Sequence, residues 1–217
     1  MATPFIKVDI PTTFKDHPGV FSALLYTEIN KCNLNCYQCH NRHSFKGKGD
    51  FFEAGELRER LAMLKLLGVE LIIVSGGEPT LEEGLEEGLE LLKEAFPVRL
   101  DTNGTNPDRI KELIERGLID GVALDVKIPL LDDYTPDQLE RFKRILFSKT
   151  DLEDSAIYNY SKKVKMTIEL IKEYSLPYTI FRTVRYPLLR EEEISAIREG
   201  LKSFPHQVNP FYPVEEE

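Results

Sequence analysis

The chain of 217 residues is 41% hydrophobic and 30% charged, with a net charge of -9 and an isoelectric point near 5.1. This length and composition are typical of a globular protein, and we expect one domain over 1–217 with an N-terminal extension over 1–19. So acidic a chain gives no reason to expect nucleic acid or an anionic membrane as a partner. The first residues lack the layout of a signal peptide, and the apolar run 71–74 is too short to span a bilayer, so a cytoplasmic protein is expected.

The first half of the chain alternates strand-like and helix-like segments. Leu57, Leu61 and Leu64 recur at helical spacing, whereas 69–75 contains the continuous apolar run of a strand that is covered on both faces. We predict strands over 20–29, 69–75 and 98–102, and helices over 53–68, 80–96 and 106–117.

The second half continues this alternation, with a charged, proline-bearing stretch over 129–153 in which we expect a short helix with loops. We predict strands over 121–128, 177–184 and 207–211, and helices over 155–175 and 190–204. Six strands separated by helices predict a parallel sheet with right-handed crossovers. Because a closed barrel of this kind needs eight units, the fold class we expect is α/β, an open partial (β/α)6 barrel with parallel strands.

Polar motifs follow four of the predicted strands. The cysteines follow the first strand, SGGEPT follows the second, DTNG follows the third, and DVK ends the fourth. The carboxyl ends of parallel strands lie at one edge of a sheet, where active sites of such folds gather. These four clusters are therefore expected to converge in one site.

The loop over 30–45 contains every cysteine of the chain, Cys32, Cys36 and Cys39. In a reducing compartment such a group binds metal more often than it forms disulfides. One interpretation is a structural zinc with His40 or His43 as the fourth ligand. The alternative is a [4Fe–4S] cluster, which normally takes four Cys ligands, so that three cysteines would leave one iron open to a substrate or cofactor.

The spacing C-x3-C-x2-C after the first strand of a partial barrel resembles that of the radical S-adenosylmethionine (radical SAM) enzymes, in which SAM chelates the open iron. SGGEP at 75–79 resembles the glycine-rich motif of the same family. Gly76 and Gly77 would let the backbone approach a ligand closely, and Glu78 with backbone carbonyls would receive the ammonium of the methionine moiety. Two such motifs in the right order favour the cluster over zinc.

Further stretches resemble the activating enzymes of glycyl-radical enzymes. The resemblance covers almost the whole chain and is closest to the anaerobic ribonucleoside-triphosphate reductase activating proteins, with a weaker likeness to the pyruvate formate-lyase activases. It rests on DHPG (16–19), CHN (39–41), LDTNG (100–104) and ALDVK (123–127).

The resemblance also implies roles for individual residues. A [4Fe–4S] cluster would be held by Cys32, Cys36 and Cys39, with His40 and Asn41 beside it. A monovalent cation would lie among Asp101, Thr102 and Asp125, since oxygen ligands suit a hard cation. SAM would contact Tyr37, Gln38, Gly76, Gly77, Glu78, Thr102, Asn103, Lys127, Arg182, Asn209 and Phe211.

Most of these residues have a structural alternative. Asp101 and Asp125 could simply cap turns, Arg182 could pair with a helix carboxylate, and Phe211 could belong to the core. The sequence also departs from the family pattern, because Gln38 stands where an aromatic residue usually precedes the third cysteine, and Tyr37 stands one place earlier. The aromatic contact near adenine is therefore expected to be shifted or replaced.

The activity implied by the resemblance is reductive cleavage of SAM to methionine and a 5′-deoxyadenosyl radical, which removes hydrogen from a glycine Cα of a partner enzyme. Flavodoxin or ferredoxin would supply the electron. Two other functions stay open: a radical SAM enzyme acting on a small molecule, such as a 7-carboxy-7-deazaguanine synthase, and a zinc-stabilised interaction domain. Metal content and the identity of the substrate would discriminate among them.

Overall fold

The computed structural model describes residues 2–44 and 49–214. Within these ranges the strands, numbered in chain order, are β1 (Ala2–Ile6), β2 (Thr12–Thr13), β3 (Ser22–Tyr26), β4 (Phe51–Glu53), β5 (Leu71–Ser75), β6 (Val98–Thr102), β7 (Gly121–Asp125), β8 (Ile180–Arg185) and β9 (His206–Pro210). The helices are α1 (His40–Ser44), α2 (Ala54–Leu66), α3 (Leu85–Lys93), α4 (Pro107–Glu115), α5 (Pro136–Phe147), α6 (Ser155–Tyr174) and α7 (Glu191–Gly200).

The main sheet of the described residues has the strand order β2-β3-β5-β6-β7-β8-β9. The pairs from β3 to β9 are parallel, as helical crossovers require, and only the short edge strand β2 runs antiparallel to its neighbour. The predicted open barrel of six parallel strands is thus confirmed, as a curled half-barrel with one added antiparallel edge strand.

The core lies between this sheet and the helices. The buried strand β5 has no exposed surface on any side chain from Leu71 to Val74, which matches the continuous apolar run in the sequence. Apolar side chains of the helices, such as Leu57 of α2 and Leu89 of α3, are equally buried against it. No helix among the described residues is long and apolar enough to cross a membrane.

The prediction of one helix over 80–96 is wrong in its first part. Residues Pro79–Leu81 form a single 3-10 turn, and α3 begins only at Leu85, after Gly84 in the left-handed region at φ 71°. Gly88 of α3 does permit close packing, because a Cβ there would lie 2.6 Å from the ring of Pro4.

Four short elements were not predicted: β1, β2, β4 and α1. β1 and β4 form a separate antiparallel pair, which places Phe5 in the core. Strands of two to five residues offer too few alternations to be read from a sequence, and their pairing is with distant residues. The strand predicted over 121–128 also ends earlier, at Asp125.

Candidate functional site

A cavity of about 210 Å³ opens at the carboxyl ends of the parallel strands. The structure brings together in its wall nearly all of the residues predicted for the site, namely Cys32, Cys36, Gln38, Cys39, His40, Asn41, Gly76, Gly77, Glu78, Asp101, Thr102, Asn103, Asp125, Lys127, Arg182 and Phe211. Tyr37 and Asn209 do not line it. The sequence analysis assigned no individual role to four further wall residues: Leu34, Ser75, Val184 and Tyr186.

The three cysteines are free thiols that are half-buried in the same wall. Burial raises the pKa of the Cys36 thiol to about 11 and also raises the pKa of Cys32. A thiolate is therefore unfavourable at Cys32 and Cys36 unless a cationic group such as iron binds it, and metal binding deprotonates a coordinating thiol. Asn103 Nδ2 lies 3.9 Å from the sulfur of Cys32, close enough to donate to it.

The end of α5 holds the cysteine loop in place. The backbone N–H of Asn35 donates to the carbonyl of Leu146 at 3.0 Å, and that of Tyr37 donates to the carbonyl of Ile145 at 2.9 Å. These bonds use two of the carbonyl groups that a helix end leaves without intrahelical partners. The stretch 129–153 therefore contributes to the site, which no motif in it had indicated.

The glycines after β5 are required by close approach of the chain to itself. A Cβ on Gly76, which has φ 135°, would lie 2.5 Å from the hydroxyl of Thr27. A Cβ on Gly77 would lie 2.6 Å from the carbonyl oxygen of Lys31. The carbonyl of Gly76 also accepts a hydrogen bond of 2.6 Å from Asn41 Nδ2. This turn therefore contacts the chain both before the first cysteine and after the last one.

Glu78 links the ends of β5 and β6. Its side chain is 1% exposed, and one carboxylate oxygen accepts from the backbone N–H and the hydroxyl of Thr80 and from the hydroxyl of Thr102. The other oxygen accepts from the backbone N–H of Asn103 at 2.7 Å. Burial raises the pKa of this carboxyl group, and the hydrogen bonds offset part of that rise. Glu78 thus fixes the loop that carries Asn103 beside Cys32.

Charged side chains of β6, β7 and β8, together with Lys127 just after β7, form a continuous network on the cavity side. Arg182 donates to Asp101 at 2.8 Å and to Asp125 at 2.9 Å, and Lys127 donates to Asp125 at 3.1 Å. Burial would raise the pKa of Asp125, but Arg182 and Lys127 outweigh it and lower that pKa to about 2. Burial would lower the pKa of Lys127, but Asp125 holds it well above its ordinary value. Both partners are therefore charged at neutral pH.

The described C-terminal residues close over the cysteine loop. Tyr37 stacks on Phe211 with ring centroids 5.8 Å apart, and Tyr186 packs on the same Phe211 ring at 5.9 Å. The carbonyl of Tyr212 accepts a bond of 2.7 Å from His40 Nε2. Tyr37 therefore packs against Phe211 without lining the cavity, whereas Phe211 itself lines it.

Gln38 lines the cavity in an unusual backbone conformation, whereas Asn209 does not reach the cavity. Gln38 has φ 46°, in the left-handed region, and its side-chain oxygen accepts from the backbone N–H of Val214 at 3.2 Å. Asn209 lies on β9 opposite Val184, outside the cavity wall. No three His, Cys, Asp or Glu side chains of the described residues are grouped so as to hold a single metal ion.

Comparison with known proteins assigns the family. Residues 27–203 match the model of the radical SAM superfamily. A protein of Methanocaldococcus jannaschii, provisionally named a glycyl-radical enzyme activating enzyme, is 31% identical over 90% of this chain and 73% of its own length. A GTP 3′,8-cyclase of Aquifex aeolicus is 33% identical, over 41% of this chain and 30% of its own length.

Solved structures show the same fold. Streptococcus suis SuiB bound to S-adenosylmethionine superposes with a TM-score of 0.59 at 16% identity, over 94% of this chain and 43% of its own. The protein anSMEcpe with bound AdoMet gives a TM-score of 0.57 at 20% identity, over 86% of this chain and 50% of its own. With three cysteines at the end of the first parallel strand of a half-barrel and a matching family model over most of its length, the chain belongs to the radical SAM superfamily of enzymes.

Proposed function

We propose that the chain is a glycyl-radical-enzyme activase that cleaves SAM at a [4Fe–4S] cluster and generates a glycyl radical on anaerobic ribonucleoside-triphosphate reductase. The observation that carries this proposal is the meeting of the three cysteines with the glycine-rich strand end in one cavity wall. The M. jannaschii protein that is provisionally named a glycyl-radical enzyme activating enzyme matches over most of this chain and supports the choice of a protein substrate.

The residues present fit a cluster with one open iron. Three soft thiols line one cavity, and soft thiolate ligands suit Fe–S clusters. Asn103 is placed to donate to the sulfur of Cys32, and such hydrogen bonds tune the potential of a cluster. His40 and Asn41 anchor the C-terminal side of the cysteine loop by hydrogen bonds to the carbonyls of Tyr212 and Gly76.

The cavity wall offers distinct groups to the parts of SAM. We assign the ammonium of the methionine moiety to the turn formed by Gly76, Gly77 and Glu78, which lines the cavity. We assign the methionine carboxylate to the side of Arg182 and Lys127. We assign the adenosyl group to Phe211 and Gln38, which also line the cavity, whereas Asn209 lies outside the wall.

A cluster held by Cys32, Cys36 and Cys39 would supply the one-electron reduction that breaks the C5′–S bond of SAM, which would give methionine and a 5′-deoxyadenosyl radical. The role of the chain itself is to orient SAM, and this orientation sets which hydrogen atom the radical removes. Because the half-barrel is open, a glycine-bearing loop of a partner protein has a route to this wall. Flavodoxin or ferredoxin is the proposed electron donor.

The test is an anaerobic activation assay with candidate glycyl-radical enzymes, read by electron paramagnetic resonance. We expect a glycyl radical to appear on anaerobic ribonucleoside-triphosphate reductase when SAM, reductant and the reconstituted protein are present. The control is the Cys36→Ala variant, which should give no radical. Formation of 5′-deoxyadenosine without a radical on any partner would instead favour a small-molecule substrate.

A further inference from the structure

We propose that the guanidinium group of Arg182 acts as a built-in cation between Asp101 and Asp125, so that the site needs no bound monovalent ion. The sequence resemblance had implied such an ion among Asp101, Thr102 and Asp125. The inference rests on the proposed function, because the ligand that this positive charge would serve is the carboxylate of SAM.

All four carboxylate oxygens of the two aspartates already have a cationic donor from the chain. Asp101 accepts from Arg99 at 3.0 Å on one oxygen and from Arg182 at 2.8 Å on the other. Asp125 accepts from Arg182 at 2.9 Å on one oxygen and from Lys127 at 3.1 Å on the other. A hard cation would therefore have to displace one of these donors to reach either carboxylate.

Thr102, the third residue of the implied cation site, already makes hydrogen bonds within the chain. The hydroxyl of Thr102 donates to the buried carboxylate of Glu78 at 2.7 Å and accepts from the backbone N–H of Gly104 at 3.1 Å. Turning this hydroxyl oxygen toward an ion would leave the Glu78 carboxylate without one of its donors, which is unfavourable in a buried site. The three side chains thus do not fit a cation site in this arrangement.

The position of Arg182 is set by the sheet. Arg182 on β8 is the register partner of Asp125 on β7, and its guanidinium reaches past β7 to Asp101 on β6. Its side chain is 16% exposed and that of Asp101 is 7% exposed, so an ion that took its place would leave a buried guanidinium without a partner.

The charges of the network also suit a carboxylate ligand. Arg99, Arg182 and Lys127 outnumber Asp101 and Asp125 by one positive charge. Arg182 and Lys127 both line the cavity, so this excess charge faces the ligand. Because Arg182 and Lys127 are already held in place, their side chains need no reorganisation when an anionic group binds.

The first arm of the test measures SAM binding to the cluster-loaded wild-type protein in chloride salts of potassium, sodium or tetramethylammonium at equal ionic strength. We expect the dissociation constants to agree within about twofold. Binding that weakens about tenfold or more in tetramethylammonium would overturn the inference while leaving the proposed function intact. Absence of SAM binding in all three salts would instead overturn the proposed function, and the inference with it.

The second arm uses the cluster-free protein and therefore does not depend on activity. We expect the melting temperature of the wild type to be the same in potassium and tetramethylammonium chloride. The Arg182→Ala variant leaves two carboxylates short of a cation, so potassium should raise its melting temperature by about 3 °C or more. Potassium stabilisation of that size in the wild type would contradict the inference.

The matched control is Arg185→Ala on the same strand. Arg185 is 45% exposed and pairs with Glu191 on the outside of the barrel, so its removal should create no dependence on potassium. If Arg182→Ala does not fold, the two wild-type measurements still decide between a built-in cation and a bound one.

Discussion

Replacing Gly77 by alanine tests whether the turn after β5 shapes the cysteine loop. The added Cβ would lie 2.6 Å from the carbonyl oxygen of Lys31 and 2.7 Å from those of Glu28 and Ile29. All three are backbone atoms, so the chain before Cys32 must move to accommodate it. The backbone hydrogen bond from Glu78 N to Lys31 O, now 2.9 Å, would be the first to lengthen.

The expected loss of stability follows from these contacts. Forcing a methyl group into a filled site costs about 1–3 kcal/mol, and loss of one hydrogen bond adds about 1 kcal/mol. The free energy of unfolding of Gly77→Ala should therefore fall by about 2–4 kcal/mol, which moves the urea midpoint down by about 1 M or more. Because the displaced carbonyls lead directly into Cys32, the variant should also bind less iron on anaerobic reconstitution.

The assay is urea unfolding of the cluster-free protein followed by circular dichroism, with iron content measured on reconstituted samples. Gly55→Ala is the matched control, because a Cβ at this position in α2 would meet nothing within 4 Å. It should raise stability by about 0.5–1 kcal/mol and leave iron content unchanged. A Gly77→Ala variant with wild-type stability and full iron content would refute the reasoning.

Three further substitutions have defined outcomes. Glu78→Gln should destabilise the cluster-free protein by about 2 kcal/mol in urea unfolding, because an amide NH2 cannot accept from the donors that the carboxylate now satisfies; equal midpoints would contradict this. Thr135→Ala should cost about 1 kcal/mol, measured the same way, because it removes the capping box of α5; a change confined to iron content would be unexpected. Glu193 accepts from Arg141 at 2.6 and 2.8 Å, and Glu193→Gln should cost about 2–3 kcal/mol at pH 7.

The Glu193 effect should depend on pH in a definite direction. Burial would raise the pKa of this carboxyl group, but the hydrogen bonds from Arg141 outweigh it and the pKa is lowered. Its stabilisation is therefore present above the unfolded-state pKa, about 4.3, and is lost as the pH falls through the lower pKa of the folded state. The gap between wild type and Glu193→Gln, followed by urea unfolding from pH 7 to pH 3, should narrow; a constant gap would contradict the assignment.

The parallel sheet could be predicted because its strands are short apolar runs separated by helices with a clear stripe of leucines. Strand β6 has the predicted bounds, and Leu71–Val74 of β5 is completely buried. The convergence of the motifs could be predicted for the same reason, since polar residues at the carboxyl ends of parallel strands must meet at one edge.

Long-range pairing and side-chain partners could not be predicted in this way. The edge strand β2 is two residues long, and β1 pairs with β4 some forty-five residues later. Tyr186 enters the cavity wall from the loop after β8, and no motif marks it. Asp101 and Asp125 were expected as ligands of an ion, and nothing in the sequence indicates that Arg182 donates hydrogen bonds to both.

Cys32, Cys36 and Cys39 should hold a [4Fe–4S] cluster that cleaves SAM. The most direct measurement is the yield of 5′-deoxyadenosine after reduction of anaerobically reconstituted protein in the presence of SAM, with Cys36→Ala as the comparison. We predict about four irons and measurable 5′-deoxyadenosine for the wild type, and neither for the variant. A colourless wild-type protein that holds one tight zinc and forms no 5′-deoxyadenosine would contradict the claim.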